Sequence, residues 1–453
     1  MDIGKIFKGV RFSRILVLVL LMVLIDSRVS KGEEIKQFSF SDVLRMAADQ
    51  GLAVLRAENV IAERENSLRQ SKGAFHPSLS AGLSTGKSIA FPDGYSSPAQ
   101  GSANLNMNYS LSASSFSSHM AAQHNLQSAT ASLEQTRDEM MFEAAQKYIA
   151  VISAQAAIGV QKADLESQIQ QLEQINAFYN HGRKAISDVL QQKTVVSETQ
   201  SRLLRAQYEF ENKKMELLTF LGLPLANAVQ FKDSEIWKIA KEFSNIDSSI
   251  IKKPDDIEIH EITAQKNTLA ATQKNLDAAK RAWWPSLDFS ASISDNIIFS
   301  DIGSGNYGAN ARIGVSVSIP ILDKSQRSSR ITSAEISLNS AHLRLEELER
   351  NIRLSEQKAR LNFSLAQKQT EVVSTRLQSA KQSLDAIQER YAVGAATLTE
   401  VSAVNTQYLN ARVADIDARL QIVSSYINIL HENGVIADIV DKYSKLPEEE
   451  TEK

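Results

Sequence analysis

Two kinds of periodicity divide the chain, and each occurs twice. Leu79, Ala81 and Leu83 alternate with Ser78, Ser80, Gly82 and Ser84, and Leu105, Met107, Tyr109 and Leu111 alternate with Asn104, Asn106, Asn108, Ser110 and Ser112. Further along, Leu287, Phe289, Ala291 and Ile293 form a third set, and Ile313, Val315, Val317 and Ile319 against Gly314, Ser316 and Ser318 a fourth. Alternation of this kind predicts four strands with one apolar face each, at about 78–85, 103–113, 286–299 and 309–320. Loops rich in Gly, Ser and either Pro or Asn separate the members of each pair.

The second periodicity is helical and far longer. Residues 321–393 contain neither Gly nor Pro, and residues 113–181 contain only Gly159. Apolar positions recur at spacings of three and four, as in Ile331, Ala334, Leu338, Ala341, Leu345 and Leu348. Helices are predicted at about 114–181 and 322–392, and a helix of 70 residues is ~105 Å long. Each is followed by a Gly-centred break and a shorter returning helix, at about 184–221 and 396–433. Leading helices at 40–74 and 255–282 roughly make up the shortfall and are expected to stack end to end with the returning arms.

These elements form a tandem repeat. Ala74-Phe75-His76-Pro77-Ser78-Leu79 recurs 208 residues later as Ala282-Trp283-Trp284-Pro285-Ser286-Leu287. Tyr179-Asn180-His181-Gly182 followed by Ser187-Asp188-Val189 recurs 212 residues later as Tyr391-Ala392-Val393-Gly394 followed by Thr399-Glu400-Val401. The expected organisation is a first repeat at 33–223, a linker at 224–254, a second repeat at 255–438 and an acidic, disordered tail at 439–453. Ahead of these, Lys5, Lys8, Arg11 and Arg14 precede eleven apolar residues, Ile15 to Ile25, and then Ser30-Lys31-Gly32. That order reads as a signal peptide over 1–32; eleven residues rise only ~16 Å as a helix, half a hydrocarbon core.

Composition narrows the function. Only 18 Gly and 8 Pro in 453 residues agree with long uninterrupted elements. With no cysteine, a disulfide framework, a thiolate metal site and a cysteine nucleophile are all excluded. A formal net charge of −3 gives no basic excess to recommend nucleic acid. None of the seven histidines forms a ligand pair at i, i+4, and neither a phosphate-binding lysine loop nor a Gly-x-Ser-x-Gly elbow occurs, so neither an enzyme nor a cofactor is expected.

Four strands cannot close a barrel by themselves, since the smallest spanning barrels have eight. Either they form a small soluble sheet, or several chains pool them, with the small Ser, Asn and Gly residues facing water and the apolar face in lipid. The double repeat, the paired Pro-Ser-Leu motifs, the Tyr-x-x-Gly turns and the Leu221-Gly222-Leu223-Pro224 ending resemble the TolC outer-membrane channel family over roughly residues 38–438. The resemblance implies an α+β membrane protein: a homotrimer pooling twelve strands in one β-barrel, continuous with an α-helical barrel crossing the periplasm. It further implies an exit duct for tripartite efflux or type I secretion, with a periplasmic adaptor and an inner-membrane transporter of the RND, ABC or MFS class as partners.

Candidate sites follow from the same reading. Tyr179, Gly182, Tyr391, Gly394, Thr397 and Leu398 lie at the two turns, which the resemblance makes the adaptor-docking tip. Glycine permits a reversal that other residues resist, and a tyrosine one turn earlier can brace the hairpin. Asp188 and Glu400 begin the returning helices, where the helix dipole already favours acids. The resemblance places an entrance gate there, with Arg183 or Lys184 as substitutes for a basic latch that is replaced by Ala396; a second acid of the pattern is replaced by Ala403. Phe75, Trp283 and Trp284 precede strands and suit a membrane-interface belt, or else an ordinary core. An exported coiled-coil scaffold and a periplasmic adaptor-like protein are the competing readings.

Overall fold

The computed structural model describes residues 36–86, 100–225, 229–244, 259–298 and 308–443. The signal segment at 1–32, the residues from 444 onward and most of both inter-strand loops lie outside the described residues. In chain order the elements are β1 (Lys36–Phe38), α1 (Phe40–Gln50), α2 (Leu52–Gly73), β2 (Ser78–Gly86), β3 (Gln100–Leu111), α3 (Ala113–Asn180) and α4 (Ile186–Phe220). After them come β4 (Val229–Phe231), α5 (Ser234–Phe243), α6 (His260–Arg281), β5 (Ser286–Ile298), β6 (Gly308–Ser318), α7 (Gln326–Ala392), α8 (Leu398–Glu432) and α9 (Ala437–Tyr443).

The strands form one antiparallel sheet of order β2-β3-β5-β6. Its register sets every alternation in phase: Ala81 pairs with Leu105, Leu105 with Ile293 and Ile293 with Ala311. Phe289 bridges Tyr109 and Val315 in the same way, and its ring lies 5.9 Å from that of Tyr109. Opposite them run Ser80, Asn106, Ser292 and Arg312. Among the described residues no helix covers the apolar face: Leu83 is 88% exposed and Ile313 86%. Among the described residues the outer edges of β2 and β6 are unpaired.

The helices build a curved wall four columns wide. α2 and α4 both pack on α3, α6 and α8 fill the space between α3 and α7, and α6 meets the end of α8 where Ile259 lies against Gly434. In the second repeat the leading helix α6 thus meets the returning α8 end to end. The stripe from Ile331 to Leu348 on α7 is buried or half-buried along its whole length, while Ser333, Ser337 and Arg344 between its members are exposed.

Around the middle of the wall sits the main core, organised on Tyr148 of α3. Its side chain is fully buried, and its hydroxyl donates to the carbonyls of Phe38 and Lys232, tying the parallel pair β1–β4 to the long helix. Phe40 and Phe231 meet its ring edge-on at 5.5 and 5.7 Å. Burial pushes the Tyr148 phenol well above its usual range.

Three sequence expectations are corrected here. The leading helix over 40–74 is two helices, because Gly51 breaks it; a Cβ at that position would meet the Ala47 carbonyl at 2.6 Å and Met140 Cε at 2.8 Å. Part of the linker at 224–254 is ordered as β4 and α5, whose Ile236, Ile239 and Phe243 join the core. The tail expected to be disordered from 439 instead opens with α9, in which Ile439 and Val440 are buried. Their short apolar runs were masked in the sequence by flanking charge.

Candidate functional site

The two helical turns share one backbone solution. Gly182 has φ +71° and Gly394 φ +79°, a left-handed conformation that disfavours a side chain. In each, two amides beyond the helix end return to its last carbonyls: Arg183 N to Phe178 O and Ala395 N to Arg390 O, both at 2.8 Å.

Side chains then make the turns unequal. Tyr391 is half-buried and packs against two small apolar clusters, one of Ile175, Val189 and Leu398, the other of Leu384, Ile387 and Val401. Tyr179, its repeat counterpart, is 41% exposed. Lys184 of the first hairpin places its Nζ 4.3 Å from the centre of the Tyr391 ring, so the two hairpins are joined there by a cation over an aromatic face. Lys184 thus sits over Tyr391 rather than against a carboxylate, and Arg183 is exposed.

The acids differ as well. Thr397 caps α8, and Glu400 completes the capping box: Thr397 N donates to Glu400 Oε2 at 2.7 Å, and Glu400 N to Thr397 Oγ1 at 3.3 Å. Those bonds from Thr397, with a smaller contribution from the Arg390 charge, hold the Glu400 carboxyl below its usual value. Asp188 lies in the first turn of α4, whose N-cap residue, Ala185, offers no side-chain cap.

Between Tyr391 and the main core lies a polar cluster that sequence reasoning missed. Asp164 on α3 has a fully buried side chain. It accepts from Arg202 of α4 at 3.2 Å, from Gln168 at 3.1 Å and from Asn405 of α8 at 3.0 Å. Gln192, also buried, donates to Gln168 Oε1 at 2.9 Å. The signal was present in the apolar stripe Val160, Asp164, Gln168, Leu172, Ile175, which breaks at two polar positions.

A second titratable cluster lies where α8 ends and α6 begins. Asp138, Glu139, Glu261, Glu432, His260 and His431 surround a cavity of about 60 Å³. Burial, reinforced by Glu134 and Glu139, pushes the Asp138 carboxyl up to about 7. Burial also raises Glu261 and Glu432, and depresses His431. His260 Nε2 stands 3.8 Å from Asp138.

The predicted interface aromatics sit at the junction of sheet and wall. Trp284 is 64% exposed, whereas the Trp283 ring stacks under the buried Arg327 guanidinium at 3.7 Å. Arg327 is held in turn by Asp323 and the Pro320 carbonyl. Phe75 is half-buried against Phe116, with ring centres 4.8 Å apart. Among the described residues no group of three or more acidic or histidine side chains is arranged to hold a metal, and no helix is long and apolar enough to cross a membrane.

Set beside known proteins, residues 43–223 and 258–431 match the family described as outer membrane efflux protein. The chain is 22% identical over 313 residues to the outer membrane protein TolC of Escherichia coli, a match covering 66% of this chain and 62% of that protein. The chain thus spans less than two thirds of the length of the curated relatives it matches. The crystal structure of the outer membrane protein VceC from Vibrio cholerae superposes with a TM-score of 0.70 at 19% identity, covering 87% of this chain and 96% of that one. The Campylobacter jejuni CmeC outer membrane channel does so with 0.71 at 16%, covering 90% and 89%.

Proposed function

Because the chain belongs to the outer membrane efflux protein family, and so is an outer-membrane protein reaching into the periplasm, we propose that it is a passive export duct gated at its helical tip. One observation carries the reading. A four-stranded sheet with a bare apolar face and a face of small polar residues is fused to helices of 68 and 67 residues, each ~100 Å long. In lipid the unpaired edges of β2 and β6 would cost several kcal/mol per exposed backbone group, so three copies pool twelve strands and close the barrel. The same operation gives the bare outer columns of the wall their neighbours: Leu204 and Tyr208 on α4 are 60% and 68% exposed, and Leu361 and Leu365 on α7 are 69% and 61%.

The duct performs no chemistry. Its tips, with Tyr179, Gly182, Tyr391, Gly394, Thr397 and Leu398, are the surface that a periplasmic adaptor protein meets, and Asp188 and Glu400 with Arg183 and Lys184 line its narrow mouth. Adaptor contacts available only in the dilated arrangement shift the population towards it, and an inner-membrane transporter supplies the energy. Trp284, with Trp283 and Phe75, marks the periplasmic interface of the outer membrane.

Purified protein reconstituted in planar bilayers tests this. Trimers that require detergent and insert in discrete conductance steps are expected. A water-soluble monomer with no conductance overturns the proposal.

A further inference from the structure

The two hairpins of one chain meet along α3 and α8, and their polar contacts keep time. Ser424 Oγ donates to Gln146 at 2.7 Å, and Ser153 Oγ donates to Asp417 at 2.8 Å. Seven residues along α3 are matched by seven along α8, two turns each. Eleven further on α3 and twelve on α8 bring Asp164 to Asn405 at 3.0 Å. This last rung differs from the others, because the Asp164 side chain is fully buried and is bonded from α3, α4 and α8 at once.

A buried charged rung at such a seam specifies register, because sliding either helix strands a charge among apolar groups, whereas the neutral, part-buried Ser424–Gln146 rung and the exposed Ser153–Asp417 rung hold it less firmly. The packing on either side of the rung is also unequal. Towards the sheet, α3 and α8 carry the continuous core from Ala144 to Ile152 and from Leu420 to Leu430. Towards the tip the hairpins are joined more thinly, by the cluster of Ile175, Val189 and Leu398, by Lys184 over Tyr391 and by the hydrogen bond that Gln191 donates to Thr399. Asp164 stands 18 residues, ~27 Å, from Gly182.

We propose that Asp164 is a positioning residue: through Asn405 it sets the register of the second hairpin on the first, and the tips beyond it swing about this buried contact. The inference rests on the gated-duct reading for its purpose, but the contact can be tested without any conductance measurement. Towards the sheet the wall stays rigid, and towards the mouth the loosely joined arms rearrange.

The chain has no cysteine, so nitroxide pairs can be introduced at will. Ala185→Cys with Ala395→Cys reports on the tips, and Arg205→Cys with Gln369→Cys on the wall beyond Asp164, each in full-length protein diluted with unlabelled chains. In the wild type both pairs give one main distance. Asp164→Ala is expected to raise a second tip distance about tenfold in population, equivalent to ~1.4 kcal/mol, while the wall pair is unchanged. Asn405→Leu, which spares the Asp164–Arg202 pair, is expected to do the same and covers the case in which Asp164→Ala does not assemble. The exchange Asp164→Asn with Asn405→Asp keeps one carboxylate and one amide in the seam and is expected to restore the single distance. Unchanged tip distances in assembled Asn405→Leu protein, or equal broadening of both pairs, overturn the proposal. Wild-type protein that behaves as proposed in these distances but conducts no ions refutes the duct instead, leaving the register contact in place.

Discussion

Asp138 gives the sharpest test of the wall's electrostatics. Its carboxyl is raised from the ordinary 3.8 to about 7, chiefly by burial and then by Glu134 and Glu139. A raised acid means that between these two values the folded chain keeps a proton that the unfolded chain has released. The stability linked to Asp138 is therefore complete below pH 3.8, falls as pH climbs to about 7, and is lost above it. Carried through in full, the displacement amounts to ~4 kcal/mol. Water at the rim of the small cavity screens part of it, which leaves ~1–2 kcal/mol. Asp138→Asn imitates the protonated state. Relative to wild type it is expected to gain that amount at pH 8.5 and almost nothing at pH 4, read from guanidinium unfolding midpoints in detergent. Glu261 and Glu432 slope the same way and His431 the opposite way, so the difference between variant and wild type isolates Asp138. A difference that does not vary with pH, or a variant less stable than wild type at pH 8.5, would refute the reasoning.

Two further substitutions pairs separate structural from functional roles. Thr397→Ala and Glu400→Ala both break the capping box, the former at a cost of ~1 kcal/mol, but block of single channels by multivalent cations should weaken only in Glu400→Ala; equal effects on block in both variants would remove Glu400 from the mouth. Ile313→Arg, on the bare face of the sheet, should lower refolding stability in lipid vesicles by ~2–4 kcal/mol, whereas Ser316→Arg on the other face should cost ~0–1 kcal/mol, and the reverse order would mean that the sheet is inside out.

Much of this architecture was legible because its signals are long. Residues 326–392 combine apolar spacings of three and four with no glycine or proline, which together specify helix, and the in-phase pairing of Ala81, Leu105 and Ile293 follows from the alternation in each strand. What escaped was decided by contacts between distant segments. Gly51 ends one helix and begins the next through its non-helical backbone, φ −60° and ψ 135°, and Met140 packs where a side chain would be; nothing near Gly51 announces Met140. β4 has three residues and exists because β1 lies beside it and Tyr148 holds both. At the tip the glycines and the Thr397 cap were readable as local motifs, yet the unequal roles of Tyr391 and Tyr179 were not, since the repeat presents them as equivalents. Asp164 and Gln168 interrupt an apolar stripe, but the stripe alone does not show that Asn405 and Arg202 reach Asp164 from other helices.

The open flanks of β2 and β6 also bear on how such a molecule is made. A single copy has no comfortable resting place in a bilayer, so it cannot accumulate there while awaiting companions. In the proposed three-copy barrel, membrane entry and association are one event, and its rate should climb faster than linearly with the amount of protein supplied. Newly exported copies would meanwhile depend on escorts that shield the sticky face, and a shortage of those escorts would show first as lost chains rather than as leaky pores.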